Sequence, residues 1–289
     1  EEMAVSTPEM LPIDHTELSL MMWLSNSDKT GITPADIFAY TKTSDVDSAR
    51  TVLLDELKSK ELMYVYEHIE SPLMPVIRKM EEVGIAVDVP YLQELGSKYH
   101  IELTRYEKKI WEYAGREFNI NSPKQLGEIL FDEMMLTAKG LKKTEGGARS
   151  TRESELEKLK DSHPIIEEIF RYRELQKLLS TYIDTLPALV SGDGRLHARF
   201  NQAGTTTGRF SSSDPNLQNI PVKTELGKKI RDAFVAQKGF ELVSLDYSQI
   251  ELRIAALLSQ DEFLTQVFAD GKDVHSAVAM KVFGVSEGD

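Results

Sequence analysis

Apolar and polar positions alternate along this chain mostly with helical period. From Tyr91 to Tyr113, Leu92, Leu95, Tyr99, Leu103, Tyr106 and Ile110 fall on one face, predicting a long amphipathic helix. Ser122-Pro123 is a capped start, Ser at N-cap and Pro at N1, for a helix running through Phe131. Ser154–Leu159 and Pro164–Ile183 continue the helical pattern. Shorter periodic stretches at Leu18–Leu24 and Val52–Leu57 flank a break, Thr30–Pro34. Pro72 and Pro75 suit a first helical turn, and Gly84 suits a helix end. The period then changes. Gly192-Asp193-Gly194 signals a turn ahead of a strand over Arg195–Phe200. A second apolar run (Phe240, Leu242, Val243, Leu245) predicts a buried strand, and Asp246 stands where it stops. Ile250, Ile254, Leu257 and Leu258 then mark a helix, and another is predicted over Val274–Phe283. A carboxylate at such a strand-to-helix junction is rigidly held yet faces solvent, a good position for a metal ligand.

The chain has 289 residues, enough for more than one domain, and its 41% apolar content is that of a globular protein. It has no cysteine, which removes disulfides and thiolate metal sites and is compatible with a cytoplasmic location. No apolar run approaches the roughly 18 residues of a membrane span. The start, EEMAVSTPEM, lacks a basic signal-peptide region and an initiator methionine, so an excerpt of a longer protein is expected.

The net charge of −13 argues against an unspecific nucleic-acid binder. Its distribution is uneven. Residues 1–70 hold 14 acidic and 5 basic side chains. Over 195–231 the bases Arg195, Arg199, Arg209, Lys223, Lys228, Lys229 and Arg231 face only Asp214 and Glu225, a basic island. A second basic stretch is the glycine-rich Thr137–Arg152, with Lys139, Lys142, Lys143, Arg149 and Arg152. Its glycine pairs predict a mobile loop, which either tracks phosphates or is simply solvated.

DYSQIELR (Asp246–Arg253) closely resembles the first carboxylate motif of the bacterial DNA polymerase I family, family A. TTTGRFSSSDPNLQNIP (Thr205–Pro221) resembles that family's primer–template motif, and GKDVHSAVAMKVFGV (Gly271–Val285) the approach to its fingers. The three stand in family order, and the resemblance runs from about Glu61 to the end.

The resemblance implies an α+β fold: a mainly helical thumb followed by part of an antiparallel palm sheet. It divides the chain into a remnant of a 3′–5′ exonuclease-like domain (1–60), an opening helix and thumb (61–191), the first half of the palm (192–260) and the start of the fingers (261–289). The implied activity is template-directed DNA synthesis, with primer–template DNA and dNTPs as partners and two Mg²⁺ ions about 4 Å apart as cofactors. Asp246 and the backbone carbonyl of Tyr247 would be metal ligands, Asp246 being the catalytic carboxylate. Ser248, Gln249, Ile250, Glu251 and His275 would face the nucleotide, Glu251 excluding a ribose 2′-hydroxyl. Thr206, Arg209, Asn216, Gln218 and Asn219 would contact the duplex. Donors placed there test pair geometry in the minor groove, whose pattern is degenerate. Lys142, Lys143, Lys228, Lys229 and Arg231 would contact phosphates.

On the residues alone the plainer readings stand beside these. Asp246 could be a helix cap, Glu251 an acid favouring a helix N-terminus, His275 a structural histidine, and the 205–221 segment a self-capping loop. Arg253 is open between a structural and a phosphate-side role. Asp45 follows Tyr40 by one residue more than the exonuclease motif spaces them, so Asp45 and Asp47 are expected as surface charges or caps, without nuclease activity. The family's main fingers helix and second carboxylate motif (His-Asp-Glu) do not occur. The expectation is therefore a truncated polymerase that grips DNA but is inert alone, the complete protein being a monomer. A single-subunit RNA polymerase, a DNA-binding module without catalysis, and a two-carboxylate hydrolase using Asp246 and Glu251 are the alternatives.

Overall fold

The computed structural model describes residues 15–143, 146–147 and 149–286. They form two compact units, one through Gly239 and one from Phe240.

The first unit opens with helices His15–Ser25, Pro34–Thr41 and Val46–Ser59 around Leu18, Met21, Ile37, Leu53 and Leu57. Local chemistry sets their ends. Thr33 and Asp36 form a reciprocal capping box, and Lys42 closes that helix in the left-handed conformation. Asp45 caps the next, accepting from the Ser48 N–H at 2.8 Å, and Tyr40 donates to Glu56 rather than to Asp45. Asp45 is thus a cap, as expected.

A continuous helical stretch follows, through Met63–Val65, a π-helical turn at Tyr66–Glu70, and Ser71–Val83. Pro72 lies in the first turn, but Pro75 is inside the helix, where it removes the donor to the Ser71 carbonyl. The widened turn just ahead of it is where the helical ladder adapts. Gly84 then ends the helix with φ +59°. A Cβ there would lie 2.4 Å from the Leu196 carbonyl, so the close approach admits only glycine.

Strand β1 (Ile85–Val87) leads to Asp88, which caps the long helix Val89–Ala114. Its inward positions Leu92, Leu95, Tyr99, Tyr106 and Ile110 pack on helix Ile165–Leu178. Ser122 accepts from the Gln125 N–H and starts Pro123–Gly127, as its Ser-Pro signature predicts. Gly96 lets the long helix approach the turn Leu179–Ile183, since a Cβ would sit 3.1 Å from Ile183 Cγ2.

β1 is the centre of a three-stranded antiparallel sheet in the order β2-β1-β5, with β2 at Arg195–Leu196 and β5 at Phe234–Val235. Ala86 pairs with both Arg195 and Val235. The single strand expected over Arg195–Phe200 is instead split. β3 (Arg199–Asn201) turns away and pairs with β4 (Ser211–Ser213). The cause is Glu81: its carbonyl bonds His197 Nδ1 at 2.8 Å, and its carboxylate takes the Phe200 N–H at 2.6 Å. Two bonds from one helical residue bend the strand between sheets.

The second unit holds helices Ile250–Ser259, Glu262–Ala269 and Val274–Phe283 around Val267, Val274 and Ala277. The last has the bounds the apolar spacing predicts. The strand expected over Phe240–Leu245 does not form. No described strand pairs with it, and without a ladder its side chains stay in water: Val243 is 77% and Leu245 92% exposed. The helix after it also turns differently from expectation. Ala256 is buried and Leu252 packs inward, while Leu257 and Leu258 face solvent.

Candidate functional site

The donor-rich segment joins β3 to β4 and runs on to Pro221. Its neck is tight, because a Cβ on Gly204 would lie 1.9 Å from Ser211 Oγ. Thr205 is held twice: the Trp23 indole N–H donates to its carbonyl at 2.8 Å, and its hydroxyl donates to the Arg209 carbonyl at 2.7 Å. Gln202, almost buried, donates to the Glu70 carbonyl and carboxylate at 3.0 and 2.8 Å. On the far side Tyr182 donates to the Asn219 carbonyl at 2.5 Å. Thr206, Arg209, Asn216, Gln218 and Asn219 are all exposed on this braced loop. Two of them also hold it: Asn216 accepts from the Gln218 N–H at 3.0 Å, and Gln218 Nε2 donates to the Phe210 carbonyl at 2.8 Å. The self-capping reading is therefore partly realised while the side chains face water.

Thr224 caps helix Glu225–Arg231, which carries Lys228, Lys229 and Arg231, all exposed. Lys228 is committed to Glu225 at 2.5 Å, and that ammonium holds the Glu225 carboxyl below its usual range.

Contacts tie down the described flanks of the basic loop Thr137–Arg152. Thr144, Glu145 and Ala148 lie outside the described residues, but Lys143 and Arg149 bridge across the loop. The buried Glu155 accepts from the Lys142 N–H at 2.8 Å and from Lys158 Nζ at 2.7 Å. Lys158, then the Lys142 N–H, hold its carboxyl below the ordinary range. Arg149 pairs with Asp132 and lies over the Phe131 ring. Lys142 and Lys143 side chains remain exposed.

In the second unit Asp246 and Tyr247 are exposed in a segment without regular structure, four and three residues ahead of the helix at Ile250. This corrects the rigid strand-to-helix junction: Asp246 neither ends a strand nor caps the helix. Gln249 stands at the N-cap position with φ +51° and donates to Asp273 at 3.0 Å. Asp273 in turn caps Val274–Phe283 through Ser276, and that N–H is the main reason its carboxyl sits low. His275 is exposed in the first turn, so this capping network brings the Gln249 and His275 segments together. Glu251 is exposed in the first turn of its own helix, where the dipole favours an acid. Arg253 donates to the Ser248 carbonyl at 2.8 Å and covers the Phe268 ring at 4.6 Å, which is a structural role. Among the described residues, no group of three His, Cys, Asp or Glu side chains could hold a metal.

Sequence reasoning missed Trp23, Glu70 and Tyr182, which hold the donor-rich loop, and Glu81, which bends the strand leading into it. A buried indole N–H or phenol needs an acceptor, but its spacing does not say which.

A helical region with both ends on a small antiparallel sheet, followed by a braced donor-rich loop and an acidic motif, defines the class. The chain belongs to DNA polymerase family A, whose model matches residues 89–289. Among curated relatives it is 53% identical over 236 residues to the thermostable DNA polymerase I of Thermus thermophilus, covering 81% of this chain and 28% of that protein. It is 46% identical over 248 residues to DNA polymerase I of Bacillus subtilis (strain 168), covering 85% and 28%. Among solved structures, the POL domain of Pol1 from M. smegmatis in complex with DNA primer-template and dNTP is similar with a TM-score of 0.82 and 35% identity, covering 93% of this chain and 50% of that one. The chain thus spans little more than a quarter of these curated relatives. No helix among the described residues is long and apolar enough to cross a membrane.

Proposed function

We propose that this chain is the primer–template-gripping part of a DNA polymerase whose whole form transfers nucleotides from dNTPs to a primer 3′-OH. The observation that carries this is the loop Thr205–Pro221. It presents Arg209, Asn216, Gln218 and Asn219 to solvent from a backbone tied down at Thr205 and Asn219. Fixed donors facing outward suit the degenerate acceptors of a minor groove, which a polymerase must read without regard to sequence. Lys229, Arg231, Lys142 and Lys143 would add phosphate contacts, with Lys228 joining when it leaves Glu225. The M. smegmatis relative, which holds primer-template and dNTP, favours the same partners.

The nucleotide side is formed by Ser248, Gln249, Ile250, Glu251 and His275 in this reading, with Glu251 meeting a 2′-hydroxyl and so favouring deoxynucleotides. Asp246 and the Tyr247 carbonyl would serve Mg²⁺, which stabilises charge on the attacking and leaving oxygens when bound. One exposed carboxylate does not complete such a site, so no step is routed through metal in this chain. The chain alone binds DNA and does not extend it. Its assigned regions are the exonuclease-like remnant, thumb, first part of the palm and start of the fingers; the location is cytoplasmic and the complete protein a monomer.

The test is primer extension with Mg²⁺ and dNTPs, run beside primer–template binding over a salt series. Binding that falls with log salt, by about 0.9 per phosphate contact, without extension is the expected result. Absence of salt-dependent binding would remove the DNA-gripping reading. Extension by the chain, abolished by Asp246→Ala, would overturn its inactivity.

A further inference from the structure

We propose that Trp23, on a helix outside the residues matched by the family model, is a positioning residue for the primer–template loop. The proposal rests on the DNA-gripping reading above. Trp23 is 5% exposed, and its ring packs with Leu20 and with Ala203 in the turn after β3. The indole N–H reaches past this contact to the Thr205 carbonyl at 2.8 Å. Thr205 passes the constraint on, since its hydroxyl holds the Arg209 carbonyl at 2.7 Å. The turn between them needs Gly208 at φ +80°, and a Cβ there would lie 3.9 Å from the indole ring. Indole, Thr205 and the Arg209 backbone are therefore linked in series.

The β3–β4 ladder and Gly204 fix only the neck of this loop. Its outer part, with Thr206 and Arg209, is aimed from the Thr205 side by the bond from Trp23, while Gln218 Nε2 holds the Phe210 carbonyl on the other side. Thr205 is half-buried, so water can satisfy its carbonyl if the indole N–H is lost. The loop would then persist but sample more directions, and the binding-competent fraction would fall. The N-terminal helices thus act as a brace that sets primer–template affinity without touching DNA.

The decisive variant replaces Trp23 with 3-benzothienylalanine, an isostere with sulfur in place of the N–H; Trp23→Phe also removes the N–H but leaves a void, so it lowers the melting temperature as well. Losing one hydrogen bond predicts about a three- to tenfold rise in Kd for primer–template. Amide exchange over 205–209 should quicken, and with the isostere the melting temperature stays near that of the parent chain. In a double-mutant cycle, Trp23→Phe should add little to Arg209→Ala, because one acts through the other. Unchanged exchange over 205–209, or a fully additive cycle, would overturn the proposal. If the parent chain fails to bind primer–template, the DNA reading falls, and the exchange measurement still decides whether Trp23 orders the loop.

Discussion

Tyr182 and Tyr99 make a matched pair for testing what holds the donor-rich region to the helical core. Both rings are 3% exposed, and both phenols donate to a main-chain carbonyl far along the chain. Tyr182 reaches Asn219 at 2.5 Å; Tyr99 reaches Leu226 only at 3.4 Å. Good O–H···O bonds lie near 2.7–2.8 Å, so the second contact is at the edge of bonding. Tyr→Phe removes the hydroxyl and keeps the ring in place. For Tyr182 the net loss should be about 1 kcal/mol, the usual worth of one such bond. It should not reach the roughly 3 kcal/mol of a stranded buried acceptor, since Asn219 is exposed and water can replace the phenol. A loss of about 1 kcal/mol is a shift of roughly 2–4 °C in melting temperature for a unit of this size. Tyr99→Phe should cost under about 0.5 kcal/mol, because little bond is there to lose. Urea midpoints at constant m-value measure both. Primer–template Kd should rise for Tyr182→Phe, up to about fivefold if all the lost energy is felt at the loop, and change less for Tyr99→Phe. Equal costs, or a larger cost at Tyr99, would refute the assignment of Tyr182 as the anchor.

Three further outcomes follow from the same geometry. Leu175→Ala, at a fully buried position of Ile165–Leu178, should destabilise by about 2–5 kcal/mol in urea; a loss under about 1 kcal/mol would mean the site collapses freely. Lys229→Ala should lower the slope of log Kd against log salt by about 0.9 without changing the melting temperature; an unchanged slope would remove Lys229 from the phosphate contacts. Glu155 is depressed below its ordinary 4.5 by Lys158 and the Lys142 N–H. A depressed carboxylate stabilises the fold above its unfolded pKa and loses that contribution as pH falls through the folded value. Amide exchange at Lys142, corrected for its intrinsic rate, should therefore be flat at neutral pH and rise below about pH 4.5; a flat profile down to pH 2 would show that the pair does not hold the loop.

The helices were legible because their determinants are local. Ser122-Pro123 and the spacing from Leu92 to Ile110 each act within one or two turns, and both predicted helices formed. The sheets were not, because their strands are two or three residues long and their partners are distant. Glu81 bends the chain at His197–Phe200 from more than a hundred residues away, and no pattern in 195–200 records it. The same holds for the apolar run at 240–245: periodicity measures hydrophobicity, whereas a strand also needs an edge to pair with. The candidate site residues were legible only as types at motif spacing, and their roles stand as proposals. Their supports, Trp23 and Tyr182, were not legible, since the acceptors they use are backbone carbonyls carrying no sequence signature.

The strands β1 and β2 are antiparallel neighbours, with Ala86 opposite Arg195, and the chain between them is the whole helical region from Val89 to Leu189. Topologically that region is the connection of a hairpin, grown to about a hundred residues. Closing so long a connection costs little more than closing a short one, because the entropy rises only with the logarithm of length. Its two ends leave and rejoin the sheet side by side, with Val87 N–H bonded to the Gly194 carbonyl. A helical module mounted this way is an insertion with adjacent stems. It is nonetheless not detachable: Val87 and Leu196 of the sheet share one core with Leu92, Ile110 and Leu175 of the helices, so removing the module would bare the face on which the sheet rests.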